Sequence, residues 1–536
     1  MKVFGLDFGT TTTMLAFRDG DNQSRLIQLG SNSNWIPSLA GIDSKGGLVV
    51  GESAEKLPLD RQISDIKTEL GTGGQLSPAL GVTVESVIEE LLVHVFDVAR
   101  KKDASAFEGE IQIVVGCPSI WDLAPRQALT RILQEVGKRT GLQVLRKVRV
   151  EDLLEEPVAA GIGWISDSLS AGENLDFGEL LVVDAGGGTL DLAVLGFGDP
   201  SLSPREPRVR IENMFILASD SLQGSGDVVD ERLRKALVAN FETSGATDIE
   251  LARAAKRLKE DLSSKDSATE KLASIKSPLV VKRSQLESWI SSAIEEFVHV
   301  AGLSTKASLL RYNRSVDPTK IRMCTVSELG SLEYTIRSEK SKKITHEKVF
   351  PEVVLMVGGT SLIPSFQSAI NNTFSASKVV VAKNAQTAVA LGLTYFDRLK
   401  ALNMPKPPVD LVVQEIKGNS VVSEQTILPA FGNAFWKVDV LKGYSHNGVR
   451  FDFKVGRHYR VGYRRPDESQ IQLLHADLWT GEGWFKYYLT GDFVIRTKKS
   501  GKWFAGRVDR WPQFGKTIEM VMLENSETQS PGYPFR

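Results

Sequence analysis

Two segments of this chain are written to one plan, and that plan limits the folds open to it. KVFGLDFGTTTTMLAF, from Lys2 to Phe17, runs as an apolar stretch, an acid at Asp7, a glycine-threonine turn and a second apolar stretch. LLVVDAGGGTLDLAVLGF, from Leu180 to Phe197, repeats it, with Asp184 ahead of Gly186-Gly187-Gly188 and Asp191 behind. Apolar runs bounded by turn residues read as buried strands, so each segment is expected to form a hairpin. Glycine lets the backbone approach a ligand closely and lets successive amide N–H groups converge on an anion. Carboxylates repel phosphate, but beside such a loop they can hold a divalent cation or its waters. A single loop of this kind is also an ordinary turn. Two matched loops imply a duplicated lobe, with the hairpins facing each other across a nucleotide cleft.

Bulk properties exclude several other classes. A chain of 536 residues is too long for one core, which predicts three or four domains. Lysine and arginine number 65 against 66 acidic residues, so no overall charge points to nucleic acid or a membrane surface. The two cysteines, Cys117 and Cys324, sit among apolar residues and are expected as buried thiols rather than a disulfide. Asp7 interrupts the only early apolar run, and no stretch of about 20 apolar residues follows, so neither a secretory leader nor a membrane span is expected. Together these predict a cytoplasmic protein. The six histidines and two cysteines make no zinc spacing, and no G-x-x-x-x-G-K-[ST] or G-x-G-x-x-G occurs, which disfavours P-loop and dinucleotide folds.

Along the chain, VTVESVIEELLVHVFDVARKKD from Val82 carries apolar residues at helical spacing, IQIVVGCP reads as a strand, and a helix is expected near Pro125. VRVEDLLEEPVAAGIGW reads as strand, loop and small-residue helix. Helices are expected over GSGDVVDERLRKALVANF, IELARAAKRLKEDLSS and LESWISSAIEEFVHVAG. VFPEVVLMVGGTSLIPSFQSAI gives a strand, a third glycine loop at Gly358-Gly359 and a helix, and AQTAVALGLTYF a helix of small residues. NMPKPPVDLV, 403–412, reads as a linker. Beyond it lie alternating runs such as RFDFKV, HYRVGY and GDFVIRT, with five of the nine tryptophans (436, 479, 484, 503, 511), which predicts an all-β region. The 19 basic against 14 acidic residues of 401–536, and the arginine-aromatic interleaving of 446–465, fit a solvated sheet face better than a nucleic-acid surface.

The ordered motifs resemble the seventy-kilodalton heat-shock chaperone family of the actin and sugar-kinase ATPase superfamily. GLDFGTTTT is similar to its first phosphate loop, VVDAGGGTLD to its second and VVLMVGGTSLIPSF to its adenosine loop. EEPVAAG (155–161) is similar to the first connecting helix, DIKTELG (65–71) to the segment bearing the catalytic lysine, and GCPSIWDLAPRQA to the proline and arginine relay. The resemblance covers about residues 1–400. It implies an α/β fold with two duplicated actin-like ATPase lobes around a nucleotide cleft, 1–175 and 176–402. A linker, 403–412, would lead to a β-rich substrate- or partner-binding domain, 413–536, without a helical lid.

Carried over residue by residue, the resemblance implies an Mg²⁺-dependent ATPase that binds ATP and ADP. Lys67 would reach the γ-phosphate and position the attacking water, and Thr189 would touch the γ-phosphate. Asp191 would help orient the water or a monovalent ion such as K⁺. Asp7, Glu156 and Asp184 would hold Mg²⁺, mainly through its waters. Gly9, Thr10, Thr11, Thr12, Gly186, Gly187 and Gly188 would bind phosphate. Gly226, Lys259, Ser263, Gly358, Gly359 and Ser361 would line the nucleoside side, and Pro118 and Arg126 the route to the C-terminal region. The implied partners are a polypeptide client or one dedicated protein, with a co-chaperone or nucleotide exchange factor; a nucleotide-regulated scaffold, a filament-forming ATPase and a small-molecule kinase are the competing readings. The sequence departs from the family at Glu260 and Leu362, where arginines usually stand, so the phosphate half of the site is kept and the base half rebuilt.

Overall fold

The computed structural model describes residues 1–70, 82–197, 214–302, 351–399, 409–430, 449–454 and 456–464, and beyond these mainly the backbone of separate elements up to residue 524. Cys324, the Pro-rich 404–408 and the five C-terminal tryptophan side chains lie outside the described residues. The fold is α/β, with mixed sheets and helices followed by a β-rich C-terminal region.

Two five-strand arrangements dominate. The first contains β1 (Lys2–Phe8), β2 (Thr12–Asp19), β3 (Arg25–Leu26), β4 (Ile111–Cys117) and β5 (Leu153–Glu155), in the order β5-β4-β1-β2-β3, with Trp35–Pro37 added on β2. The second contains β6 (Glu179–Ala185), β7 (Thr189–Gly196), β8 (Phe215–Gln223), β9 (Val353–Val357) and β10 (Lys378–Val381), in the order β8-β7-β6-β9-β10. In both, the first three strands form an antiparallel meander and the last two lie parallel to the first. The duplication inferred from two hairpins therefore extends to the whole sheet. β1 and β6 are buried on both faces, as continuous apolar runs require when helices cover each side.

Helices form where the apolar spacing places them. In α1 (Val84–Lys102) the apolar residues Val84, Val87, Ile88, Leu91, Leu92, Val95 and Phe96 are all buried, and Thr83 caps the first turn in a box with Ser86. Asp122 caps α2 (Leu123–Thr140), and Gly141 ends it in a left-handed conformation. α3 (Glu156–Ser170) starts directly after β5, with Pro157 in its first turn. The strand expected earlier in VRVEDLL is confined to 153–155, because Val150–Asp152 closes a 3₁₀ turn held by the Asp152 carboxylate on the Arg149 N–H. α4 (Gly226–Asn240), α5 (Asp248–Leu262), α6 (Arg283–Val316), α7 (Pro364–Thr373) and α8 (Ala388–Leu393) complete the set used below.

The two short-residue helices do not stay on their own sides. α3 packs on the second sheet, with Gly161 under Leu195 and Val182, whereas α8 packs on the first, against Gly5 of β1. They cross where Gly163 meets Gly392; a Cβ at Gly392 would overlap the Ala159 carbonyl. Small residues therefore serve helix-helix approach here, and one core containing Val3, Val158, Val182 and Leu393 joins both sheets. Arg18, wholly buried in β2, fixes the chain beyond α8 by donating to the Thr394 carbonyl at 2.9 Å and to Asp397 while lying 5.1 Å from the Tyr395 ring.

In the C-terminal region Leu402–Asn403 pairs with Arg510–Trp511, and a longer strand starts at Asp410, inside the stretch read as a linker; Asp410–Lys417 lies between Ser420–Leu428 and His458–Arg464. A five-stranded antiparallel sheet runs from Val449–Phe453 through Gly483–Tyr487, Asp492–Thr497 and Trp503–Arg507 to Leu523–Glu524. Within 446–465, Phe451, Phe453 and Tyr459 pack on one another, while Arg457 pairs with Glu415 and Arg464 with Glu424. Those aromatics belong to a local cluster, and the two arginines have acidic partners.

Candidate functional site

The site forms where the two hairpins meet. Asp7 and Asp184 each occupy the next-to-last position of a strand, and both turns close alike, Gly9 N–H on the Thr12 carbonyl at 3.0 Å and Gly186 N–H on the Thr189 carbonyl at 3.1 Å. The tips face each other: a Cβ at Gly187 would stand 2.8 Å from Thr11 Oγ1, and one at Gly188 would stand 2.8 Å from Thr10 Oγ1. A side chain at either position would require the opposing threonine to shift, so glycine here keeps the two hairpin tips close together.

Beneath the tips, five ionisable residues proposed from the sequence come together. Lys67 Nζ donates to Glu156 Oε1 at 2.5 Å, with both side chains nearly inaccessible, and lies 5.8 Å from the centre of the Trp121 ring. Burial alone would lower the lysine's pKa, but Glu156, Asp7 and Asp191 together hold it above its ordinary value. Asp7 is pushed up to about 6 by burial, against the pull of Lys67. Burial raises Glu156, and it raises Asp184 well above the ordinary range with help from Glu156, Asp191 and Asp7. Asp191 also reaches about 6, through burial and then Glu156, although it accepts from Ser119 N–H at 2.7 Å and from Thr189 Oγ1 at 2.5 Å. Four buried carboxylates thus share one ammonium. Such a group either holds protons or binds a further cation, because uncompensated buried charge is strongly unfavourable.

The donor set suits a hard divalent cation, since carboxylate oxygens are the preferred ligands of Mg²⁺. Among the described residues no three His, Cys, Asp or Glu side chains converge as direct ligands.

On the other flank, Gly226 opens α4 against the second hairpin. Its N–H donates to the Gly186 carbonyl at 3.1 Å, Asp227 N–H donates to the Gly187 carbonyl at 2.8 Å, and Thr360 Oγ1 reaches the Gly186 carbonyl at 2.7 Å. A Cβ at Gly226 would meet Thr360 Oγ1 and Lys259 Nζ at 2.9 and 3.1 Å. Lys259 pairs with Asp230 at 2.8 Å. Gly358, at φ +81°, packs so closely on Ala185 and Asp184 that a side chain is excluded. Leu362 is exposed, and Gly359 neighbours the exposed Gln386. Two hydroxyls of the nucleoside set are bonded to nearby backbone: Ser361, fully buried, donates to the Val357 carbonyl, and Ser263 to the Lys259 carbonyl within its own helix.

Sequence reasoning passed over Thr360, Asp227, Trp121, Ser119 and Glu155. Asp227 and Thr360 each adjoin a glycine already singled out, which was the available signal. Asp227 remains open to solvent, yet the surrounding protein and then the like charges of Asp65 and Asp230 push it up to about 7. Arg126 and Glu155 form a wholly inaccessible ion pair at 3.3 Å. Cys117 is a buried free thiol, and burial raises it to about 12. Among the described residues no helix is long and apolar enough to cross a membrane.

With this geometry the chain can be set beside known proteins. No protein-family model matches it. It is 26% identical over 395 residues to the chaperone protein DnaK of Thermosipho melanesiensis, covering 73% of this chain and 58% of the relative. The DnaK proteins of Thermotoga neapolitana and Thermotoga maritima match at 26% over 397 residues with the same coverage. The chain is a divergent relative of the DnaK chaperones. It spans about 58% of the length of the curated relatives it matches. That kinship agrees with the sequence motifs: the two phosphate hairpins and the strand of the third glycine loop lie in the two large sheets, and EEPVAAG opens α3.

Proposed function

We propose that this protein binds and hydrolyses ATP and that its nucleotide state controls polypeptide or partner binding by the C-terminal β-rich region. The observation that carries the reading is the set of four buried carboxylates around Lys67, directly beneath two glycine hairpins that face each other. In this reading the two sheets are the lobes of an actin-like ATPase, 1–175 and 176–402. The crossing of α3 and α8 is the joint between them, and the region from 413 to 536 is the binding domain. A cytoplasmic location accompanies it, supported by the free Cys117 thiol.

Hydrolysis of the γ-phosphate needs a positioned water and neutralised charge more than a strong base. The N–H groups of Gly9 to Thr12 and Gly186 to Gly188 would cradle the phosphates, with Thr189 at the γ-group. Lys67, a compact point charge already turned into the cluster by Glu156, would bind a γ-oxygen and hold the water in line. Asp191, fixed by Ser119 and Thr189, would accept a hydrogen bond from that water. The water oxygen bonds to phosphorus as the bridging oxygen departs with ADP, and the water's proton leaves with the released phosphate. Mg²⁺, when bound, supplies charge neutralisation on the phosphate oxygens, and Asp7, Glu156 and Asp184 are the residues that would hold it through water. Gly226, Thr360, Lys259 and the Gly358-Gly359 loop would border the nucleoside. A client must prefer one nucleotide state for control to operate, since equal affinity shifts nothing.

The test is single-turnover phosphate release from Mg-ATP, with Lys67→Ala alongside. Release by the wild type that is lost in the variant supports the reading. A wild type that neither binds nor cleaves ATP would overturn it and leave the scaffold reading in front.

A further inference from the structure

The loop from Pro118 to Asp122 touches two members of the cluster at once. Ser119 presents its backbone N–H to Asp191 Oδ1 at 2.7 Å, and two residues later the Trp121 ring lies beside Lys67. The loop leaves β4 and enters α2 through a turn bond, Trp121 N–H on the Pro118 carbonyl. Glu155, the last residue of β5, ties it to both sheets. The Ser119 hydroxyl donates to Glu155 Oε2 at 3.2 Å, and Ser219 of β8 donates to the same oxygen from the other sheet. Arg126 closes the arrangement by donating from Nη2 to Glu155 Oε1 and from Nε to the Trp121 carbonyl, at 3.3 and 3.1 Å. The Ser119 and Glu155 side chains are wholly inaccessible, and Ser219 nearly so.

A carboxylate at 0% exposure is expensive to keep and is retained where its hydrogen bonds fix something. Here they fix Ser119, whose N–H sets the direction of Asp191. We propose that Glu155, Ser119 and Ser219 are positioning residues: a buried carboxylate tethers the Ser119 N–H and thereby aims Asp191 at the reacting water. The inference rests on the ATPase reading for the purpose of that aim. The tether itself stands on the bonds above. Because Ser119 and Glu155 come from the first sheet and Ser219 and Asp191 from the second, the network also spans the junction of the two. One of the two bonds that orient Asp191 therefore depends on how the sheets meet, the other being from Thr189 on its own strand.

The experiment compares full-length wild type with Ser119→Ala, Ser219→Ala and a surface control, Ser105→Ala, whose hydroxyl bonds Asp103 in an exposed turn. Two quantities are read: amide hydrogen exchange at position 119, and kcat against Kd for ATP. The Ser119→Ala protein keeps the N–H but not its tether, so exchange at that amide should rise at least about tenfold. Its kcat should fall about tenfold while Kd stays within about twofold, the split expected when an aim is lost and binding is kept. Ser219→Ala should show smaller changes in the same direction, and the control none. Unchanged exchange at position 119 would overturn the tether whether or not the protein cleaves ATP. Faster exchange with unchanged kcat in an active enzyme would overturn the aiming role. A wild type with no turnover but with the exchange change would leave the tether standing and remove the ATPase reading instead.

Discussion

Replacing Asp191 by asparagine should stabilise the metal-free protein, and by more at pH 7.5 than at pH 5. Burial and Glu156 push the Asp191 carboxyl up to about 6 from the ordinary 3.8. A carboxyl that holds its proton more tightly in the folded than in the unfolded chain weakens the fold as pH rises through that interval, since the folded state binds more protons there. Below about pH 3.8 both states are protonated and there is no penalty. By pH 7.5 it amounts to roughly 3 kcal/mol, and at pH 5 roughly half of that is recovered. The introduced amide removes the titration and forfeits one accepted hydrogen bond, a loss of about 1 kcal/mol. The variant should therefore exceed the wild type by about 2 kcal/mol at pH 7.5 and by well under 1 kcal/mol at pH 5. Calorimetry in chelator would read this as a lead in transition temperature that narrows by a few degrees, at about 2–4 °C per kcal/mol. His94, whose burial lowers its pKa and acts in the opposite sense, is common to both proteins and cancels. A lead of equal size at both pH values, or a wild type that is the more stable at pH 7.5, would refute the electrostatic account of the cluster.

Added Mg²⁺ should raise the transition temperature of the wild type clearly at pH 7.5 and much less at pH 5, where protons already occupy the carboxylates; equal shifts would count against a cation site. Gly188→Ala should cost about 1–3 kcal/mol and slow phosphate release, because the methyl would press on Thr10 and Thr68. Gly186→Ala, whose methyl meets only the Thr189 carbonyl at 3.4 Å, should stay near wild type, and thermal melts of the pair compare them directly. Arg126→Met should destabilise by about 3–5 kcal/mol by stranding Glu155, and adding Glu155→Met should recover much of the loss in urea titrations.

The parts of this architecture that show in the sequence are those with a short period or a local turn. β1, β6 and β9 announce themselves as apolar runs ending in an acid or glycine, and α1 as apolar residues three and four apart. The cluster around Lys67 shows only in part. Asp7, Asp184 and Asp191 lie beside glycine turns, but Lys67 is one lysine among many until the fold brings it to Glu156, 89 positions along the chain. Glu155 is harder still: in sequence it is one half of a pair of glutamates before a proline, and only the register of β5 on β4 turns it inward and its neighbour into the site. Ser361 and Ser263 show the converse. Their positions beside recognised motifs suggest a ligand, while their hydroxyls satisfy nearby backbone carbonyls, a local alternative that serine readily takes.

The duplicated sheets are alike in topology and unlike in chemistry, and the register of the two hairpins shows where they part. In the second sheet Asp184 lies opposite Asp191, whereas in the first Asp7 lies opposite Met14. Met14 is buried with Ala16 against Ala390 and Leu391 of α8, so that side of the first hairpin is committed to carrying the crossing helix. The matching side of the second hairpin carries Asp191 instead, held by Ser119 from the first sheet. A symmetric pair of hairpins would place two equivalent acids about the cleft and leave no preferred face for a water. With one hairpin packed on a helix and the other bearing a second carboxylate, the cluster is one-sided: Lys67 reaches it from a turn at 66–70, and Asp191 from the second sheet. Asp191 is held from both sides, by Ser119 of the loop after β4 and by Thr189 of its own strand, so its place in the cluster depends on the contact between the two halves as well as on its own hairpin.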